Sequence, residues 1–95
     1  MRSPKAAKEK TEEESDVDVI EDLENKVVLY NDDVNTFDWV IECLIEICGH
    51  DQLQSEQLAL MVHTKGKAVV KTGELDEMKT IAQALCDRGL SAVVE

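Results

Sequence analysis

Aromatic and glycine residues are scarce in this chain: one Trp, one Tyr, one Phe and four Gly among 95 residues. No aromatic-rich or glycine-rich cofactor loop can be drawn from so few. Also missing are a P-loop, a nucleophile elbow and an HExxH pair, so nothing anchors a common hydrolase or metalloenzyme reading. The EF-hand spacing D-x-[DN]-x-[DN]-G is absent. Basic residues are outnumbered, 10 against 21 acidic, which leaves a net charge of -11. Such a chain repels phosphate backbones and anionic lipid, so nucleic-acid and membrane-surface roles are disfavoured and a cationic ligand or basic partner is favoured. The charge also argues for a monomer. No apolar run approaches the roughly 20 residues of a bilayer span, and no signal-peptide apolar region is visible, which points to a cytoplasmic protein. Cysteine is limited to Cys43, Cys48 and Cys86, with no CxxC pair. All three fall at apolar helical positions and read as reduced core residues.

What is present fits one small domain with a core near the lower limit for unaided stability. Residues 1–25 hold 9 acidic and 4 basic residues and almost nothing apolar before Val17. They cannot bury enough surface to offset their ordering entropy, so they read as a disordered acidic N-terminal extension, with Ile20 and Leu23 able to touch the domain. The regular pattern begins at Lys26 and defines a domain over 26–95.

Lys26 to Tyr30 is apolar and β-branched, a strand. Asn31 to Asn35 is turn chemistry. Asn35 or Thr36 caps a helix to about Cys48, ended by Gly49, with Phe37, Val40, Ile41, Leu44, Ile45 and Cys48 on one stripe. A second helix from Asp51 or Gln52 to Thr64 turns Leu58, Met61 and Val62 inward and stops at Gly66. Lys67 to Lys71 is a short strand. A third helix, Glu74 to about Asp87, carries Leu75, Met78, Ile81, Ala82 and Leu85, and Leu90 to Val94 forms a last strand. The order is β-α-α-β-α-β. It predicts an α+β fold: a small three-stranded sheet with three helices packed on one face.

Two places carry chemistry. Asn31-Asp32-Asp33, at the end of the first strand, presents amide and carboxylate acceptors; taken alone it is also an ordinary turn. His63 lies in the last turn of the second helix, where a histidine also serves as a simple cap. His50, after Gly49, is plainer still. Asp32, Asp33, His63 and a cysteine could be written as a zinc set, but no short-range ligand pair supports it. Acceptors without a basic partner suit a small cation, and apolar neighbours suit a greasy group beside it. A free protein N-terminus with a large apolar first residue is one such ligand.

Four stretches then carry a resemblance. They are Leu29-Tyr30-Asn31-Asp32-Asp33; Trp39-Val40-Ile41-Glu42-Cys43-Leu44; Val62-His63-Thr64-Lys65-Gly66-Lys67-Ala68; and Val93-Val94-Glu95. In this order and spacing they resemble the ClpS family, adaptors of the bacterial N-degron pathway, over residues 26–95. The resemblance implies a non-enzymatic adaptor without a cofactor or resident metal. Such an adaptor grips the free, bulky apolar first residue of a substrate (Phe, Tyr, Trp or Leu) and delivers it to a Clp AAA+ unfoldase of the ClpA or ClpC type. A generic interaction module of the same small α/β class is the alternative; it would not need Asn31, Asp33 and His63 to converge.

Carried over residue by residue, the resemblance implies that Asn31, Asp33 and His63 hold the α-amino group. A protonated amine has three donors and no acceptor, which an amide oxygen, a carboxylate and a neutral imidazole nitrogen can satisfy. Because the imidazole must be neutral to accept, binding should weaken as pH is lowered from 8 to 5.5. Phe37, Val40, Val62 and Leu90 are implied walls for the first side chain, with Asp32, Asn35 and Ala59 at the rim or wall. Burying a Phe or Leu side chain contributes about 1.5–3 kcal/mol. Charge-assisted hydrogen bonds add about 1.5–3 kcal/mol each before association entropy, a scale that leads to micromolar affinity. Two positions depart from the family pattern: Ala59 and Phe37 both stand where Met is usual, a smaller wall beside a bulkier gate. On the third helix, Glu74 and Lys79 match the family's unfoldase contact, and a solvated helix face would explain them equally well. The acidic tail resembles the family's extension that engages the unfoldase during hand-off.

Overall fold

A computed structural model describes residues 25–95. The expectations for the extension before them, including contacts of Ile20 and Leu23, lie outside the described residues. Strand β1 (Asn25–Tyr30) leads through a tight loop into helix α1 (Phe37–Cys48) and then α2 (Gln52–Lys65). Strand β2 (Lys67–Gly73), helix α3 (Leu75–Asp87) and strand β3 (Ser91–Val94) complete the β-α-α-β-α-β order. The sheet order is β2-β1-β3, with both pairings antiparallel, so β1 is central. β1 suits its central place: its apolar, largely β-branched residues Val27, Val28 and Leu29 are all buried.

One face of the sheet, formed by Val27, Leu29, Ala68, Val70 and Ala92, packs against the helices. Cys43, Leu44 and Cys48 of α1, Val62 of α2, and Met78, Ala82 and Leu85 of α3 fill the layer between. Burying a Leu side chain completely contributes about 1.5–3 kcal/mol; Leu29, Leu44 and Leu85 are each at most 1% exposed. Val28, between Val69 and Val93 in register, alternates to the other face.

The first two helices are capped by residues able to do so. The Thr36 hydroxyl accepts from the Trp39 N–H at 3.1 Å, and the Asp51 carboxylate accepts from the Gln54 N–H at 2.8 Å. α2 ends at Gly66, whose φ of 89° lies in the left-handed region that glycine enters without steric cost.

Several boundaries shift from their expected places. β2 continues to Gly73, α2 reaches Lys65, and Leu90 is a buried turn residue ahead of β3 rather than its first residue. Met61 points outward and is 41% exposed, contrary to its expected inward place. α2 buries Ser55, Ala59 and Val62, and at about 100° per residue Met61 falls some 200° round from Ala59. Cys86 is exposed rather than in the core. It lies one position beyond buried Leu85 on α3, and its thiol donates to the Ala92 carbonyl at 3.2 Å. Cys43 and Cys48 are buried as expected, and burial pushes the Cys48 thiol up to about 11.

Candidate functional site

Three segments meet at one end of β1. The loop from Asn31 to Asn35 follows the strand, α1 begins at Phe37, and the last turns of α2 stand alongside. The Asn31 backbone N–H donates to the Gly66 carbonyl at 2.9 Å, fixing the loop to the end of α2 and placing Asn31 beside the turn that carries His63. Between them lies a cavity of about 430 Å³ lined by Asn31, Asp32, Asp33, Asn35, Phe37, Val40, Ala59, Val62 and His63. That volume is within the range of pockets that take a small ligand or a large side chain. A recess of about 20 Å³ adjoins it, sharing Asn31, Asp32, Asn35, Val40 and Val62 and adding Leu90. The structure thus gathers all ten sequence-nominated pocket residues.

Their hydrogen bonding separates them into two groups. Asp32 is engaged internally. Its Oδ1 accepts from the Val34 N–H (3.1 Å), the Asn35 N–H (3.1 Å) and Asn35 Nδ2 (2.9 Å). Its Oδ2 accepts from the Ser91 hydroxyl at 3.0 Å and Asn35 Nδ2 at 3.1 Å. Asn35 Nδ2 also donates to the Gly89 carbonyl at 2.8 Å. Burial works to raise the Asp32 carboxyl, but the donors on Asn35, Ser91 and Val34 outweigh it and hold the group below its ordinary range. Asp32 therefore ties the loop to the turn before β3.

Asn31, Asp33 and His63 differ. Their side chains are exposed and make no hydrogen bond or ion pair among the described residues. They offer an amide oxygen, a carboxylate and an imidazole nitrogen around one cavity whose remaining walls are largely apolar. Val40 is half-buried, and Ala59 and Val62 are buried. Phe37, 42% exposed, starts α1 and leaves the cavity beside small Ala59.

Other nominated features separate from the site. His50 Nε2 lies 2.6 Å from the Val70 carbonyl, a local tie between α1's end and β2. Among the described residues no three His, Cys, Asp or Glu side chains gather to hold a metal ion, and Asp32's oxygens already have donors. Glu74 precedes α3 without capping it, and Lys79 follows one turn on; both are exposed and neither lines the cavity. Sequence reasoning named Gly66 only as a helix end and motif residue, and gave no site role to Gly89 or Ser91; all three hold the acceptor loop. Ser91 lies 59 positions from Asp32, and no local pattern signals such a bond.

A family model described as ATP-dependent Clp protease adaptor protein ClpS matches residues 21–92. The chain belongs to the ClpS family. It is an adaptor, not an enzyme. The ClpS adapter protein of Corynebacterium aurimucosum is 33% identical over 96 aligned positions, spanning 100% of this chain and 86% of that protein. That of Streptomyces coelicolor is 32% identical over 89 positions, spanning 92% of this chain and 93% of its own. Among solved structures, Agrobacterium tumefaciens ClpS2 bound to L-phenylalaninamide superposes with a TM-score of 0.74 at 26% identity. That match covers 78% of this chain and 96% of the ClpS2 chain.

Proposed function

We propose that this ClpS-family adaptor binds the free amino terminus of proteins beginning with Phe, Tyr, Trp or Leu and delivers them to a Clp AAA+ unfoldase in the cytoplasm. Asn31, Asp33 and His63 accept the three donors of the α-ammonium group. Phe37, Val40, Ala59, Val62 and Leu90 surround the first side chain, and Asp32 and Asn35 fix the shape of the rim. The observation that carries this reading is the convergence of three acceptors, unpartnered among the described residues, on a cavity with largely apolar remaining walls. An ammonium group satisfies them without leaving a donor unmatched. Phenylalaninamide, bound by the ClpS2 neighbour, has the same chemistry: a free amine, a benzyl side chain and a blocked carboxylate.

Glu74, just before α3, and Lys79 on it, together with the acidic segment 1–25, are assigned to the unfoldase, of ClpA or ClpC type, and the adaptor acts as a monomer. Glu74 and Lys79 do not line the cavity, so substrate and unfoldase can be held at once.

The test is fluorescence anisotropy with short peptides beginning Phe, Leu, Ile, Met and acetyl-Phe. Free Phe and Leu peptides should bind in the micromolar range, and acetyl-Phe should be rejected because acetylation removes the charge and leaves the acceptors unmatched. Equal binding of free and acetylated peptides would overturn the assignment.

A further inference from the structure

Phe37 has two sides. One faces the first-residue cavity; the other opens a second depression of about 400 Å³ between α1 and the start of α2. Phe37, Ile41 and Ile45 recur every four residues and form an apolar ladder along its floor. Asp38, Glu42 and Glu46 form a parallel acidic ladder one position on, and Glu56 of α2 lines the same depression. Among the described residues no Lys or Arg lines it. Glu46 pairs with Arg88 at 2.7 Å and Glu56 accepts from Gln52 at 2.7 Å. Asp38 and Glu42 have neither an ion pair nor a hydrogen bond among the described residues.

From Phe37 to Ile45 the α1 ladder is about 12 Å long, at roughly 1.5 Å per residue. An extended peptide covers that in about three to four residues. The groove thus starts where the first-residue cavity ends and is long enough for the residues that follow.

We infer that this groove binds the second to fourth residues of the same substrate and selects those bearing basic side chains. The inference rests on the amino-terminal reading of the cavity. Continuity through Phe37 supplies the path. The aliphatic stem of a Lys or Arg can lie on Ile41 and Ile45 while its cation reaches Asp38 or Glu42. A substrate acidic at those positions meets like charges.

The experiment compares peptides with the full chain: Phe followed by Lys-Arg-Lys, by Ser-Ser-Ser or by Glu-Ser-Glu, one with the basic triplet moved to positions eight to ten, and acetyl-Phe. Two exposed ion pairs correspond to about a fivefold preference for the adjacent basic triplet over the neutral one. Glu42→Lys with Asp38→Asn should remove that preference. A control of equal charge change on α3, Glu77→Lys with Asp87→Asn, should retain it. If the charge reversal loosens α1, Glu42→Gln with Asp38→Asn gives the same comparison.

A preference independent of triplet position, or lost equally in both variants, would assign it to the overall field of the chain and overturn the groove. Dimers dissociated by the Glu42 variant would assign the groove to a second copy and overturn it too. Binding of acetyl-Phe as tight as free Phe would overturn the cavity reading and this inference together. Free Phe selected without any basic preference would overturn this inference alone.

Discussion

At the residue scale, Asp32 and Asp33 are neighbours with opposite duties. Asp32 engages both oxygens in the network around the loop, whereas the Asp33 carboxylate has no hydrogen-bond or ion-pair partner among the described residues, which is what the proposed binding of an α-ammonium group requires. Asn31→Ala, Asp33→Ala and His63→Ala should each weaken binding of a free Phe peptide about tenfold or more, read by anisotropy, because each loses a charge-assisted bond. Melting temperatures should move little, since none of these side chains supports the fold. Asp32→Asn should behave differently and lower stability at pH 7. The folded-state carboxyl titrates below its ordinary value near 3.9, so the unfolded chain binds the proton more readily. Its stabilising contribution is complete above that ordinary value and disappears as pH falls through the lower folded value. Urea midpoints of wild type and Asp32→Asn measured from pH 5 to 2 should therefore converge towards acid. A constant gap would contradict the network. The sequence identified both aspartates as acceptors; separating them needed Ser91 and Gly89, brought in from the far end of the chain.

At the scale of elements, helix identity and most caps were legible because the stripes of α1 and α3 recur at helical spacing and end at residues that close helices. α2 was harder: Leu53, Leu60 and Met61 are exposed, so its apolar content does not mark its buried side. Gly66 joins two duties there. It ends α2 in the left-handed region and offers its carbonyl to the Asn31 N–H. Gly66→Ala would meet no neighbouring atom, yet must adopt a φ that costs of order 1–2 kcal/mol. We expect a lowered thermal midpoint together with weaker peptide binding, because strain relieved at Gly66 displaces Asn31 relative to His63. Loss of stability with peptide affinity intact would separate the two duties.

At the scale of the whole molecule, the helices cover one side of a thin sheet and a few fully buried residues hold the layers together. Leu44→Ala should cost about 2–5 kcal/mol by equilibrium denaturation, a large share of the stability of a domain this size. Cys86 should react with a thiol reagent in the native protein, while Cys43 and Cys48 should react only after unfolding; three native-state modifications would place the core wrongly. Removal of residues 1–24 should leave peptide affinity unchanged and impair degradation of a Phe-initiated reporter by the unfoldase. Loss of both would refute the proposed division between tail and cavity. The composition bounded the class and disfavoured several chemistries. The cavity itself depended on joining residues 31–40, 59–63 and 90, an arrangement that one sequence suggests only through its family.

The Lys26 N–H donates to the Glu95 carbonyl at 2.9 Å, and the Glu95 N–H donates to the Lys26 carbonyl at 2.8 Å. The two ends of the described domain are therefore neighbours, and the cavity lies at the other end of β1, about 20 Å away at roughly 3.3 Å per residue. That geometry makes the domain a cassette. A short linker from residue 95 back to residue 25 would close it into a ring or allow new termini to be opened elsewhere. The same paired ends would permit insertion into a surface loop of a host protein or immobilisation on a sensor, with the binding end directed outward.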